Sequence, residues 1–463
     1  MPHLEPMVFA RTAATAAALC AVLGCATPPL PSVPSVVAPH HWSVAAPVAG
    51  ATASRRTATW WQDFGSTELD TLVDAALEHN PDLRVVAARV AQARALTDGA
   101  HAERLPRLDL VASSQRGRDS SPDPKATSAS VGLRAGWELD LFSGKALAAS
   151  AAERDAQSAE LMQQAARVAL TAEVATAYFD IQALLRREAV ALEAVATLER
   201  QIAVALRRFE AGHVGSLDID RLQSELRQER SSAQQLQGAL QVRQRQLAVL
   251  LGMTQMPPST SWTRWDSDDI AMPATLLPAD LLERRPDVQR HVRALDAAAA
   301  RVGVARSDLY PRIQLDWAGR KERLSVNGGS AGTTIVVGYG VSLSLPIFDG
   351  GRIRANIAIH EARAQEAMAE YEKAMLGALA DVEIAFAQLR AAQISVSELE
   401  QAEKAGADAA RKSERLFEAG LNDLNTVLDV RRNLLRTRDA LLQARSARWT
   451  AAVAVHRAFA GAV

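Results

Sequence analysis

"TTIVVGYGVSLSLPIFDGG", residues 333–351, sets Ile335, Val337, Tyr339, Val341, Leu343 and Leu345 on one parity and Gly338, Gly340, Ser342 and Ser344 on the other. Such strict alternation predicts a strand with one apolar face and one face of small or polar groups. A stretch two hundred residues earlier has the same pattern. There Val131, Leu133, Ala135, Trp137, Leu139 and Leu141 alternate with Gly132, Arg134, Gly136, Glu138 and Asp140. Arginine and carboxylates in that number are not packed into a dry core without large desolvation costs. The polar face must therefore meet water, and the apolar face needs an apolar medium that this largely helical chain does not supply from within. The run from Ile335 to Leu345 has the length of a tilted strand crossing a bilayer, about nine to eleven residues.

The chain repeats itself, and the matched segments follow the same order in both halves. "NPDLRVVAARVAQARAL" from Asn80 matches "RPDVQRHVRALDAAAARV" from Arg285, and "LPRLDL" from Leu105 matches "YPRIQL" from Tyr310. "WELDLFSGK" from Trp137 matches "LSLPIFDGG" from Leu343, and "RRFEAGHVGSLD" from Arg207 matches "ERLFEAGLNDLN" from Glu414. Ordered matches of this kind mark a duplication, so each half repeats one layout. "LPRLDLVAS" and "YPRIQLDWAG" supply the partner strands, with Leu108, Leu110, Ile313, Leu315 and Trp317 on the apolar face.

Between Gly144 and Gly212 there is neither Gly nor Pro, which permits one continuous helix of roughly 100 Å at 1.5 Å per residue. The second copy, Arg352 to Ala419, also lacks Pro. Both long helices stop at a matched "FEAG", where glycine serves as a C-cap before an antiparallel helix returns. Helices this long predict a rod or tube. The expected segments are 1–24, a signal peptide; 25–60, a tether rich in Pro, Ala and Ser; 61–252, the first repeat; 253–277, a linker; and 278–463, the second repeat. The expected strands are 105–116, 129–142, 310–320 and 333–346. The expected long helices are 144–211, 216–251, 351–419 and 422–460.

Four strands cannot close a membrane sheet, because an open edge leaves backbone groups unsatisfied in lipid. Single-chain barrels begin at about eight strands, so the ring has to come from several chains. Two copies give about eight strands and a filled interior, whereas three give about twelve and room for water. The predicted fold is therefore mainly α with a membrane β-barrel: two repeats per chain, and a trimeric barrel of twelve strands continued by a long helical tunnel. Arg134, Glu138 and Asp140 belong to its wet lumen. Phe142, Tyr310 and Phe348 stand at the strand ends, where an interfacial girdle and plain packing are both open readings.

The formal charge of -1, without a basic block, argues against nucleic acid as a partner. The nine His and eight Met are scattered, so no metal site is expected. No nucleophile triad, phosphate loop or metal spacing points to an enzyme. Near the start, Arg11 precedes "TAATAAALCAVL", a run too short to span a bilayer and suited to a cleaved signal. The "VLGC" that follows resembles a bacterial lipobox, which implies a covalent lipid on Cys25 and no other cofactor. Cys20 would leave with the signal, and Ala26 after the cysteine fits the outer-membrane pattern of lipoproteins.

The whole mature chain resembles the TolC-like outer-membrane factors, most closely their lipoprotein branch that serves RND-type efflux. The residues that carry the likeness are "WWQDFGSTELDTLVDAALEHNPDL", "LLERRPDVQRHVRALDAAAARVGVARSDLYPRI", "LPIFDGGRIRANI" and the paired "FEAG" turns. The resemblance implies an exit duct of three copies in the outer membrane, working with a periplasmic adaptor and an inner-membrane RND transporter. It also implies a gate at the periplasmic tip. Asp429 takes the place of the family's tip aspartate, and Asn425 stands where related ducts often have leucine. Asp218 matches an aspartate that locks neighbouring helices. Its usual arginine partner is Asn422 here, which leaves Arg431 or Arg432 as alternative partners. A type I secretion duct and a non-conducting lipid-anchored rod are the competing readings.

Overall fold

The computed structural model describes residues 39, 41–42, 53–54, 59–118, 125–212, 215–256, 262, 272–273, 277–326 and 332–460. The expected signal peptide, Cys25, most of the expected tether and most of the expected inter-repeat linker lie outside the described residues.

The chain runs α1 (Thr67–His79), α2 (Pro81–Ala102), β1 (Arg107–Arg118), β2 (Lys125–Leu139), α3 (Gly144–Glu210) and α4 (Ser216–Leu250). The second copy runs α5 (Pro278–Arg284), α6 (Pro286–Ser307), β3 (Arg312–Val326), β4 (Gly332–Ser344), α7 (Arg352–Glu418) and α8 (Leu424–Ala460). A single turn of 3₁₀ helix, Trp60–Phe64, precedes α1. Each long helix has 67 residues, and each ends at a glycine of positive φ, Gly212 at 75° and Gly420 at 73°. Only glycine takes that left-handed cap without strain.

The contacts divide the chain into two compact units. One contains Asp98–Ala151 and Leu295–Met368, and therefore all four strands. They form an antiparallel sheet in the order β1-β2-β3-β4. The register fixes the faces, because residues directly opposite one another share a side. One row reads Leu108, Ala135, Trp317, Tyr339, and the next Leu110, Leu133, Gly319, Val337. Two further rows join Trp137, Leu315 and Val341, then Leu139, Ile313 and Leu343. The apolar parity of every strand thus meets on one face. No core covers it: Val341 is 73% exposed and Leu343 67%. Beneath the sheet's helical junctions, Ala298, Val302 and Ala364 form a small core of their own.

The passage from strand to long helix uses one device twice. Asp140 lies one residue beyond β2 and accepts hydrogen bonds from the backbone N–H groups of Lys145 (3.0 Å) and Ala146 (2.7 Å). Asp349 accepts from Gly351 (2.9 Å) and Ile353 (2.7 Å) at the start of α7. These bonds satisfy the orphan donors of each helix start and hold the Asp349 carboxyl below its usual pKa. Asp140, expected among the lumen residues, is by its contacts a helix cap. Gly144 beside it leaves room for the Ser307 side chain, which a Cβ would displace.

The other unit, Val36–Thr97, Ala152–Ala294 and Ala369–Val463, has a conventional core. Trp60, Trp61 and Phe64 pack with Tyr178, Phe179, Trp449 and Phe459, all nearly sealed from solvent. Ser66 caps α1 by accepting from the Leu69 N–H (3.2 Å), and its hydroxyl meets the Tyr178 hydroxyl at 2.8 Å. The matched "NPD" and "RPD" segments have diverged. Asn80 donates to the Leu250 carbonyl at 2.9 Å, whereas buried Arg285 donates to Asp287 (2.6 Å), Asp381 (3.0 Å) and the Ala378 carbonyl (3.2 Å).

Candidate functional site

Two surfaces bear on passage through a duct, and they belong to different units. The first is the polar face of the sheet, where Asp109, Arg134, Ala318 and Gly338 form one row and Glu138, Gln314 and Ser342 another. Its charges are partly matched in place. Arg107 pairs with Asp109 at 2.8 Å and Arg320 with Glu322 at 3.3 Å. Glu138 lies 3.4 Å from the Lys145 ammonium, which ties the strand's end to the first turn of α3, and Lys145 also donates to the Glu103 carbonyl at 2.9 Å. Arg134 is exposed on this face. On this face β4 presents Thr334, Gly338, Gly340, Ser342 and Ser344, with Val336 the one larger side chain.

The second surface is the end of the helical unit around the two glycine turns. Leu198, Leu222, Leu226 and Leu428 make its apolar centre. Asp423 caps α8, accepting from the Thr426 N–H at 2.7 Å, and this bond holds its carboxyl below the usual range. Asp429 is 68% exposed at its side chain and accepts from Arg432 one turn later at 2.7 Å. Arg432 also lies 3.6 Å from Glu225 on α4. The side-chain amide oxygen of Asn425 accepts from Arg221 of α4 at 2.7 Å.

The expected lock between Asp218 and Asn422 is not formed within the chain. Asp218 lies 4.0 Å from Arg221, and Asn422 instead donates to the Ser413 hydroxyl at 3.2 Å. Arg221 thus joins α4 to α8 alongside the Arg432–Glu225 pair, and the sequence alone does not single it out. The one-turn spacing announces only that Arg221 lies near Asp218, not that it reaches α8. Arg431 is drawn inward, donating to the Ala194 carbonyl at 3.5 Å. Burial pulls its guanidinium below the usual range against the opposing charges of Glu414 and Glu229. Burial and the neighbouring Glu225 push the Glu229 carboxyl up.

Above the turns, ion pairs cross-link the helices in rungs. Glu199 with Arg230 (2.6 Å) joins α3 to α4, Glu403 with Arg438 (2.9 Å) joins α7 to α8, and Arg187 with Asp439 (2.6 Å) joins α3 to α8. Exposed pairs of this kind each contribute little to stability and mainly fix register. At the tip a cavity of about 310 Å³ opens among Val204, Leu222, Phe417, Leu424 and Val427, with the Arg208 guanidinium 5.4 Å from the Phe417 ring. Among the described residues no helix is long and apolar enough to cross a membrane.

Comparison with known proteins gives one consistent result. The model of the outer membrane efflux protein family matches residues 72–253 and again 277–461, one match per repeat. The pyoverdine export outer membrane protein OpmQ of Pseudomonas aeruginosa is 32% identical over 461 residues, covering 96% of this chain and 95% of that protein. A solved membrane protein from Pseudomonas aeruginosa superposes with a TM-score of 0.83 at 29% identity, covering 94% of this chain and 100% of that one. The outer-membrane channel OprN superposes with a TM-score of 0.81 at 29% identity, covering 94% and 99%.

Proposed function

We propose, from the premise that this chain belongs to the outer membrane efflux protein family, that it is the exit duct of a tripartite RND-type efflux system, with a gate at its helical tip. It resides in the outer membrane, where three four-stranded sheets close a twelve-stranded barrel around the polar face and present the apolar face to lipid. The observation that carries this reading is the register: four strands align every apolar parity on one exposed face and leave β1 and β4 with open edges. In lipid those edges need partners, and further copies of the same chain supply them. The duct itself performs no chemistry. A periplasmic adaptor and an inner-membrane RND transporter supply small molecules and the energy to move them, and the lipid on Cys25 anchors the chain.

At the tip, three copies of Asp429 facing a common axis would repel one another, collect cations and narrow the passage. Arg432 restrains each of them, and the Asp218, Arg221 and Asn425 chain holds α4 against α8 in the narrow state. Single-channel conductance in a planar bilayer tests the gate. Wild type is expected to give small, cation-selective currents, and Asp429→Ala larger and less selective ones. Equal conductance and selectivity of the two would remove Asp429 from the gate.

A further inference from the structure

The charges of the sheet are sorted by face and by end. All four carboxylates of the strands, Asp109, Glu138, Asp316 and Glu322, fall on the polar face. The apolar face carries no acid, yet it does carry cations, and these are confined to the ends of the strands farthest from the long helices. Past the row of Leu110, Leu133 and Val337, the next row reads Ala112, Val131, Lys321, Ile335. Then come Ser114, Ala129, Arg323, Thr333, and then Arg116, Thr127, Ser325. Beyond them the backbone register continues to Arg118 opposite Lys125. Lys321, Arg323 and Arg116 are exposed and form no ion pair with any described residue. By contrast, Arg107 and Arg320 on the polar face each have a carboxylate within reach.

The opposite end of the same face is built differently. There Leu139, Ile313 and Leu343 pass into Ile347 and Phe348, 93% and 92% exposed, and Phe142 stacks on Tyr310 at 4.7 Å. Apolar and aromatic groups suit an interface of ordinary phospholipid. Three cations that pair with no described residue, above an apolar belt, suit one that is anionic. Among the described residues no carboxylate shares that face, which leaves lipid head groups as the anions at that height.

We infer that Arg116, Lys321 and Arg323 form a cationic collar that binds the phosphates of lipid head groups in the outward-facing leaflet. Neighbours two apart on one strand face stand roughly 7 Å from each other, so Lys321 and Arg323 reach a single phosphorylated head group together, with Arg116 two strands away across β2. The inference rests on the barrel reading, which assigns the apolar face to lipid.

The test titrates the detergent-purified full chain with fluorescent bisphosphorylated lipid A and, in parallel, with the same lipid stripped of both phosphates. The phosphorylated form should bind about a hundredfold more tightly, a margin that shrinks with added salt. The triple variant Arg116→Gln, Lys321→Gln, Arg323→Gln should lose most of that margin, about fivefold for each cation removed. Orthophosphate in excess should leave the lipid bound; its displacement of the lipid would mark a free-anion site and overturn the lipid assignment. Equal binding of the two lipids to wild type overturns the inference, and so does a triple variant that keeps the discrimination. If the variant fails to assemble, the wild-type comparison decides alone. Conductance of wild type in a bilayer of phosphatidylcholine only separates this inference from the duct itself, since a pore that conducts there survives failure of the collar.

Discussion

Tyr339 is 90% exposed and Tyr178 is fully buried; Val341 is 73% exposed and Val174 fully buried; Leu343 is 67% exposed and Leu69 fully buried. Each pair sets the sheet against the helical unit, and the same side chains meet opposite conditions in the two. In the helical unit, burial follows the ordinary hydrophobic effect, with water as the solvent to be escaped. In the sheet, an apolar face this large and continuous exceeds what a soluble protein leaves bare. The difference teaches that exposure of apolar groups is not a defect of packing here. The two units are matched to two solvents, and each should respond to substitution accordingly.

The largest contrast is expected in the buried core. Trp449 is 1% exposed, and the Arg186 guanidinium lies 5.0 Å from its ring. Trp449→Ala should lower unfolding stability by about 3–5 kcal/mol, read by denaturant melts in detergent. Val341→Arg is expected to cost about 2–4 kcal/mol in bilayer folding equilibria, whereas Ser342→Arg, one residue along on the polar face, should stay within about 0.5 kcal/mol. Equal effects at 341 and 342 would break the comparison.

A smaller effect is expected where strand becomes helix. Asp140→Ala removes an acceptor of two backbone N–H groups and should cost about 1 kcal/mol, seen as a lower melting temperature of the assembled protein. The smallest is an acid effect in the helical unit. Burial raises the Asp287 carboxyl, but its bonds to Arg285 outweigh this and leave it lowered. A lowered carboxyl stabilises the fold above its unfolded value near 3.8 and loses that contribution as pH falls through the folded value. Stability should therefore drop below about pH 4 in wild type, and less so in Asp287→Asn, by melts across that range.

Much of this fold was legible in the chain because local rules carried it. Period-2 alternation at 131–141 and 335–345 identifies strands and their faces, and glycine after "FEA" stops each long helix. The faces could be assigned without coordinates since a strand's side chains alternate whatever its partner. Contacts across the repeat could not. Arg285 reaches Asp381, and Arg221 reaches Asn425 on a helix two hundred residues away, and no spacing announces either. Asp140 carries a role that parity does not announce. Its parity places it on the lumen face, but the strand ends at Leu139 and the start of α3 takes both of its oxygens. The pattern of charge on the apolar face was likewise hidden until register aligned Val131 with Lys321 and Ile335.

The most direct test of the central claim is a nitroxide scan, one residue at a time, from Ile335 to Ser344 in the trimer reconstituted in lipid, reading accessibility to oxygen and to a water-soluble nickel complex. The account predicts oxygen maxima at 335, 337, 339, 341 and 343, with nickel maxima at 336, 338, 340, 342 and 344. Nickel access on both parities, or no alternation at all, would mean that this face does not meet lipid and would contradict the barrel.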